Sequence, residues 1–171
     1  MNFNFLFVQF LGVIAWLLLI VSYYCKKTNG ILVFQITATF FYCIHYYLLG
    51  AWSGLCICFL EIIRDLLYYK TDLDNYIFYG SIPFYIIYII LGSSNIVDIF
   101  PVFSSIIGGY SLTQKRDMVV VWSIIVYTLW VLYDLFVMSY SGAITDGIIV
   151  ISNIIILLRE NKFNRSLFLK K

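Results

Sequence analysis

The feature that most constrains this chain is a series of apolar runs, each roughly 15 to 21 residues long. In hydrocarbon a backbone has no water to bond to, so a run of that length must close its hydrogen bonds internally, as a helix. Seven such runs can be drawn: Phe5–Tyr24, Ile31–Leu49, Leu55–Tyr69, Tyr76–Leu91, Ile96–Leu112, Met118–Met138 and Ala143–Leu158. The 171 residues are 63% hydrophobic and 12% charged, against about 25% charged in soluble domains. No soluble core of this size hides so much apolar surface. The expectation is an all-α polytopic membrane protein forming one membrane domain over residues 1–171. Phe3 to Cys25 lacks a basic leader and a small-x-small cleavage site, so it reads as a retained first span.

Charge sorts the connections. Turns are expected at Asn29-Gly30, Gly50 to Gly54, Ser93 to Asn95 and Ser139 to Gly142, with polar loops at Lys70 to Asn75 and Gln114 to Asp117. Segments after the first, third, fifth and seventh runs carry Lys26, Lys27, Lys70, Lys115, Arg116, Arg159, Lys162, Arg165, Lys170 and Lys171. The opposite connections carry no Lys or Arg, and the remaining basic residue is Arg64 inside the third run. The positive-inside rule then puts the N-terminus outside and the C-terminus in the cytoplasm. A shift of 88 residues lays runs one to three over runs five to seven, pairing Lys27 with Lys115, Ser53-Gly54 with Ser141-Gly142 and Ile63 with Ile151. The layout is 3+1+3: residues 5–69, a linker helix at 76–91, residues 96–158 and a basic tail at 159–171. Four crossings separate the two halves, so they are parallel repeats about an axis along the membrane normal.

Polar residues inside the runs are the functional candidates, because ionisable groups survive in hydrocarbon only when paired, hydrated or useful. Glu61 lies nine residues, or ~13 Å, beyond Trp52, near the bilayer centre. Arg64 and Asp65 share its helix face at i+3 and i+4. Two readings stay open: an internally neutralised cluster, with Arg64 pairing a carboxylate, or a central solute or proton-coupling site. Asn153, at the repeat position of Asp65, either binds a polar substrate or bonds a neighbouring helix. Asp98 reads as an interfacial or capping residue. Tyr and Phe, 15 of each, read as interface and lipid-facing residues. Cys25, Cys43, Cys56 and Cys58 read as small apolar fillers, since one His and two near-opposite Cys make no metal set.

Several stretches carry a resemblance to the YgjV-type bacterial inner membrane proteins. They are Gly12-Val13-Ile14-Ala15, Ser22-Tyr23-Tyr24 with Lys26, and His45 followed by Leu48-Leu49-Gly50. Arg64, Pro101-Val102, Trp130-Val131, Gly142, Asp146-Gly147, Asn153 and Arg159 fit as well, so the resemblance spans about Phe10 to Asn161. That family looks like a distant relative of the SWEET and PQ-loop transporters, two three-helix repeats around a linker helix. The resemblance implies that fold and no particular activity. The chain departs from PQ-loop proteins in having no Pro-Gln pair, and Pro101 falls at the repeat position of Val13. If the halves pair as in a SWEET, His45, Asp134 and Asp146 converge on an outer vestibule.

No Gly-rich phosphate loop, His-Glu-x-x-His, Gly-x-Ser-x-Gly or spaced carboxylate set appears, so no enzyme, catalytic residue, cofactor or metal is expected. The basic tail reads as an anchor beside anionic lipid, not a nucleic-acid site. Membrane lipids and a small polar solute are the expected partners, and nothing excludes a dimer. The functional expectation is a small-solute transporter-like protein whose site is lined by Glu61, Arg64, Asn153, His45, Asp134 and Asp146. The alternative is a non-transporting binding or scaffold protein whose polar cluster only locks helices together.

Overall fold

The computed structural model describes residues 3–25, 28–71, 73–93, 95–114 and 116–168. Lys26, Lys27, Lys115, Lys170 and Lys171, and the side chains of Arg116, Lys162 and Arg165, lie outside the described residues, so part of the charge sorting does too. Seven α-helices follow one another: α1 (Phe3–Tyr24), α2 (Thr28–Leu49), α3 (Trp52–Lys70), α4 (Asp74–Leu91), α5 (Ile99–Leu112), α6 (Arg116–Phe136) and α7 (Tyr140–Phe168). A 3₁₀ turn, Ile96–Asp98, leads into α5, and no strand occurs among the described residues. Segments Asn4–Ser22, Leu32–Leu49, Met118–Phe136 and Tyr140–Arg159 are long and apolar enough to cross a membrane; Asn75–Leu91 and Ile96–Leu112 are apolar but shorter. Glu61, Arg64 and Asp65 set α3 apart from these.

Several boundaries differ from the sequence reading. The connection expected across Gly50 to Gly54 is only Gly50 and Ala51, and Trp52, Ser53 and Gly54 are already helical. Gly50, at φ 71°, reverses the chain alone, and the Ala51 amide donates back to the Tyr46 carbonyl at 2.9 Å. This is a Schellman ending, in which a left-handed residue lets the chain bond the helix's last free carbonyls. Eighty-eight residues later, α6 stops before the expected Met138 for the same reason. Met138 takes φ 59°, and the Ser139 amide donates to the Asp134 carbonyl at 2.9 Å. Tyr140 to Gly142 then already belong to α7. At the start of α2, Thr28 to Gly30 join the first turn, where small polar residues are well tolerated. Residues from Arg159 to Phe168 continue α7, because no Gly or Pro interrupts them.

Packing follows sequence neighbours. Helices α1 and α3 flank α2, and α5 and α7 flank α6; α1 also meets α7, α3 meets α5, and α4 touches α3 and α5. At the centre Tyr46 stacks on Trp130 at 5.8 Å, and Tyr133 stands edge-on to both. Such ring pairs contribute about 0.5–1.5 kcal/mol each beyond their buried area. Outward lie Leu6, Phe7, Phe40, Phe59, Ile90 and Ile151, all exposed apolar side chains of the kind a bilayer covers.

Gly50 and Met138 make a paired prediction. A left-handed residue other than glycine costs roughly 1–2 kcal/mol, and Asn tolerates that conformation better than Met. Met138→Asn is expected to stabilise the detergent-purified protein by about 1 kcal/mol, and Gly50→Val to destabilise it by at least as much. Thermal unfolding of both variants checks this.

Candidate functional site

Polar side chains gather in two places: beside the α2–α3 and α6–α7 turns, and midway along α3. The first group begins with His45, wholly buried on α2 four residues before its end. Its Nδ1 lies 2.8 Å from the Val8 carbonyl, which can only accept, so Nδ1 carries a proton. Its Nε2 lies 2.8 Å from the Ser139 hydroxyl. Beside it the Tyr46 hydroxyl donates to Asp134 Oδ1 at 2.7 Å, and both residues are buried. Asp134 Oδ2 has no hydrogen-bond partner. Gly142 sits against it, and a Cβ there would overlap Oδ2 and come within 2.6 Å of the Ser139 hydroxyl.

A second strand of bonds runs through Tyr133. The Gly54 amide donates to the Tyr133 oxygen at 2.7 Å, and that hydroxyl lies 2.8 Å from Ser53 Oγ. Ser53 donates its proton to Asp98 Oδ1 at 2.7 Å, so Tyr133 is the donor to Ser53. Asp98 Oδ2 accepts from the Asn95 amide at 2.8 Å, which makes the capping reading correct and adds a tertiary bond to it. On the far side Gln9 clasps the α6–α7 turn. Its Nε2 donates to the Met138 carbonyl and its Oε1 accepts from the Ser141 amide, each at 2.9 Å.

Ser53 and Ser141 are 88 residues apart; Asp98, just before α5, holds the first, and Gln9, near the start of α1, holds the second. Tyr46 and Asp134 are also 88 apart, and they bond to each other. Asp146, buried on α7, lies within electrostatic reach of both Asp134 and Glu61.

The group on α3 is organised by Ser105 of α5. Its hydroxyl donates to Glu61 Oε1 and its carbonyl accepts from Arg64 Nη1 at 3.2 Å. Arg64 pairs with Asp65, Nη2 to Oδ1 at 3.0 Å and Nε to the same oxygen at 3.1 Å. The carboxylate partner of Arg64 is therefore its chain neighbour and not Glu61. A groove of about 340 Å³ opens between α3 and α4, with Arg64 and Tyr85 among apolar lining residues such as Leu60, Ile63 and Phe84.

The six expected lining residues thus divide. His45 bonds Ser139 and Asp134 bonds Tyr46, the chain neighbour of His45; Asp146 lies within electrostatic reach of Asp134 and Glu61, and Glu61 and Arg64 meet through Ser105. Asn153 stands apart: it donates to Ser123 of α6 at 2.9 Å and borders a separate cleft with Trp16 and Ile149. His45 and Asp134 lie in closed packing, with no exposed surface, where an outer vestibule was expected. Gly12, Gly54 and Gly142 pack so closely there that a Cβ on any of them would meet a side chain within 3.0 Å. Gln9, Tyr46, Ser53, Ser105, Tyr133 and Ser139 were missed, since nothing separates them in sequence from ordinary interface Tyr and Ser. The usable signal was the repeat offset itself. Among the described residues, no three or more His, Cys, Asp or Glu side chains converge as a metal site.

Comparison with known proteins gives one family. The model of Imp-YgjV, described as bacterial inner membrane protein, matches residues 6–163. No curated protein and no solved structure matches the chain.

The α3 group is testable through its ion pair. Removing one partner of a buried pair strands the other charge and costs about 3–5 kcal/mol. Arg64→Leu is expected to lose that much in thermal unfolding, and Arg64→Leu with Asp65→Leu to recover most of it.

Proposed function

The chain belongs to the Imp-YgjV family of bacterial inner membrane proteins, and from that premise we propose that it is a carrier-like protein for a small polar solute. In this reading α1–α3 and α5–α7 are parallel three-helix repeats, α4 links them, and the solute binds between the halves. The arrangement is similar to that of the SWEET and PQ-loop transporters. Basic loops lie in the cytoplasm and the α2–α3 and α6–α7 turns face outward.

One observation carries the reading. Positions related by a two-fold axis touch one another only near that axis, and Tyr46 meets Asp134 across 88 residues. The matched left-handed endings at Gly50 and Met138 obey the same offset, and Ser53 and Ser141, also 88 residues apart, are each bonded to a residue near the start of α5 or α1. A polar cluster therefore stands on the axis about which two repeats would rock. Repeat interfaces of this kind are where secondary transporters bind their cargo. Asp146 lies within electrostatic reach of both Asp134 and Glu61, and intramembrane carboxyls commonly mark solute or ion routes. Fold analogy supplies the transport step.

A second reading has its own support. The axial cluster is closed, and most of its polar atoms already have partners, as expected of a scaffold whose polar groups fix helix register. Neither reading involves catalysis.

Thermal unfolding against a panel of small polar metabolites separates the two. A ligand that prefers the folded state stabilises it by about 2.7 kcal/mol at a hundred times its dissociation constant. The carrier reading expects at least one compound to raise the melting temperature with concentration, an effect lost in Glu61→Gln while folded protein persists. A panel without effect, with Glu61→Gln simply less stable, favours the scaffold.

A further inference from the structure

We infer that the groove between α3 and α4 binds an uncharged, lipid-soluble carbonyl compound of the quinone type, with its ring on the bare backbone at Gly80 and a carbonyl oxygen on the Arg64 guanidinium. The site is separate from the axial cluster and stands whether or not the chain carries a solute. Tyr76, Gly80 and Phe84 line the groove at intervals of four residues along α4, so they share one face of that helix. Gly80 lies midway in the ~12 Å between the two aromatic positions, and a Cβ added there would meet nothing within 4 Å. Leu60, Ile63 and Leu67 of α3 form the facing wall. Ile63, Leu67, Tyr76 and Phe84 are exposed, so the groove opens sideways among side chains that a bilayer covers. Its volume, about 340 Å³, falls at the lower end of small-molecule sites, about 300–1,000 Å³.

The wall has donors to spare. A guanidinium carries five N–H groups. On Arg64, Nε–H and one N–H of Nη2 serve Asp65 Oδ1, and one N–H of Nη1 serves the Ser105 carbonyl. One N–H on each of Nη1 and Nη2 is left without an acceptor among the described residues. Tyr85, on the same wall and 1% exposed, has a buried hydroxyl that also lacks a partner. In hydrocarbon no water replaces a bond left unmade, so an acceptor brought into this groove is favoured.

Charge decides the kind of acceptor. Asp65 already neutralises the Arg64 guanidinium, and Glu61 lies within electrostatic reach of it. A carboxylate or phosphate head would add a further negative group beside those two carboxyls. A cationic head would bring only donors to a wall of donors. An uncharged carbonyl oxygen accepts through two lone pairs and adds no charge. A quinone joins that oxygen to a flat ring, which the aromatic side chains at either end of the Gly80 gap can contact, and to an apolar tail that lipid receives.

The probe is decylubiquinone, titrated onto the detergent-purified chain and counted by native mass spectrometry. Expected is saturable binding of one quinone per chain. Palmitate, the anionic control, should bind at least about tenfold more weakly. Gly80→Leu puts a side chain into the open gap and should weaken quinone binding at least about tenfold, with no loss of thermal stability because Leu is the better helix former. Arg64→Leu with Asp65→Leu removes both charges together and should weaken it by a similar factor through the lost donors. Binding that does not saturate, or that either change leaves as tight as before, overturns the inference. Palmitate bound as tightly as the quinone also overturns it, and marks an anionic lipid as the occupant. Should one variant fail to fold, the other decides.

Discussion

The bond between Tyr46 and Asp134 is the contact on which the rest of the bundle turns. In lipid there is little hydrophobic drive between helices, because hydrocarbon tails are as apolar as leucine. Association must come from close packing and from hydrogen bonds that would otherwise go unmade. Tyr46 and Asp134 supply such a bond between α2 and α6, at positions 88 residues apart. Around it Tyr46, Trp130 and Tyr133 interlock as rings. Gly54 and Gly142 let the backbones approach closely enough for the hydroxyls to reach.

The holds at either side of that bond differ in strength. Beside the turns, Gln9 and Asp98 each secure a serine of the opposite group. Lower down, Ser105 uses its hydroxyl for Glu61 and its carbonyl for Arg64, so a single residue of α5 ties the charged face of α3. Between α3 and α4 there is instead an open groove with Arg64 at its wall. Helix α4 packs on α3 and α5.

Much of the fold was legible because hydrophobic run length is a strong signal in membrane chains. All seven runs became helices, and their ends moved by a few residues except at α7, which continues ten residues past Leu158 to Phe168. Those shifts arose where backbone conformation, which composition does not report, decided the matter: Met138 ends α6 in a left-handed state that no residue preference would have suggested. The site was less legible. Glu61, Arg64, His45 and Asp134 stand out as charged or titratable residues in apolar runs, but their partners are serines and tyrosines common throughout the chain. Asn153 stands out equally and belongs to a different contact, with Ser123. Arg64 pairs with Asp65 although adjacent side chains on a helix diverge, because the long guanidinium folds back on its neighbour. The repeat offset was the unused signal: it pairs Ser53-Gly54 with Ser141-Gly142 in the sequence, and carried on to Tyr46 it reaches Asp134, the residue Tyr46 bonds in the structure.

The asymmetry of the two groups bears most directly on function. If the halves had identical residues at the axis, two tyrosines or two aspartates would face each other. Two tyrosines would give a neutral bond with no titratable member near physiological pH, and two aspartates would repel unless they shared a proton. The chain has instead one tyrosine and one aspartate at one pair of positions, and His45 opposite Tyr133 at the adjoining pair. An apolar pair of similar volume serves stability at least as well as a buried charge, so in a scaffold that difference would fix helix register rather than add stability. Breaking the symmetry confines the carboxylate and the imidazole to opposite halves, with Ser139 bonded to the imidazole.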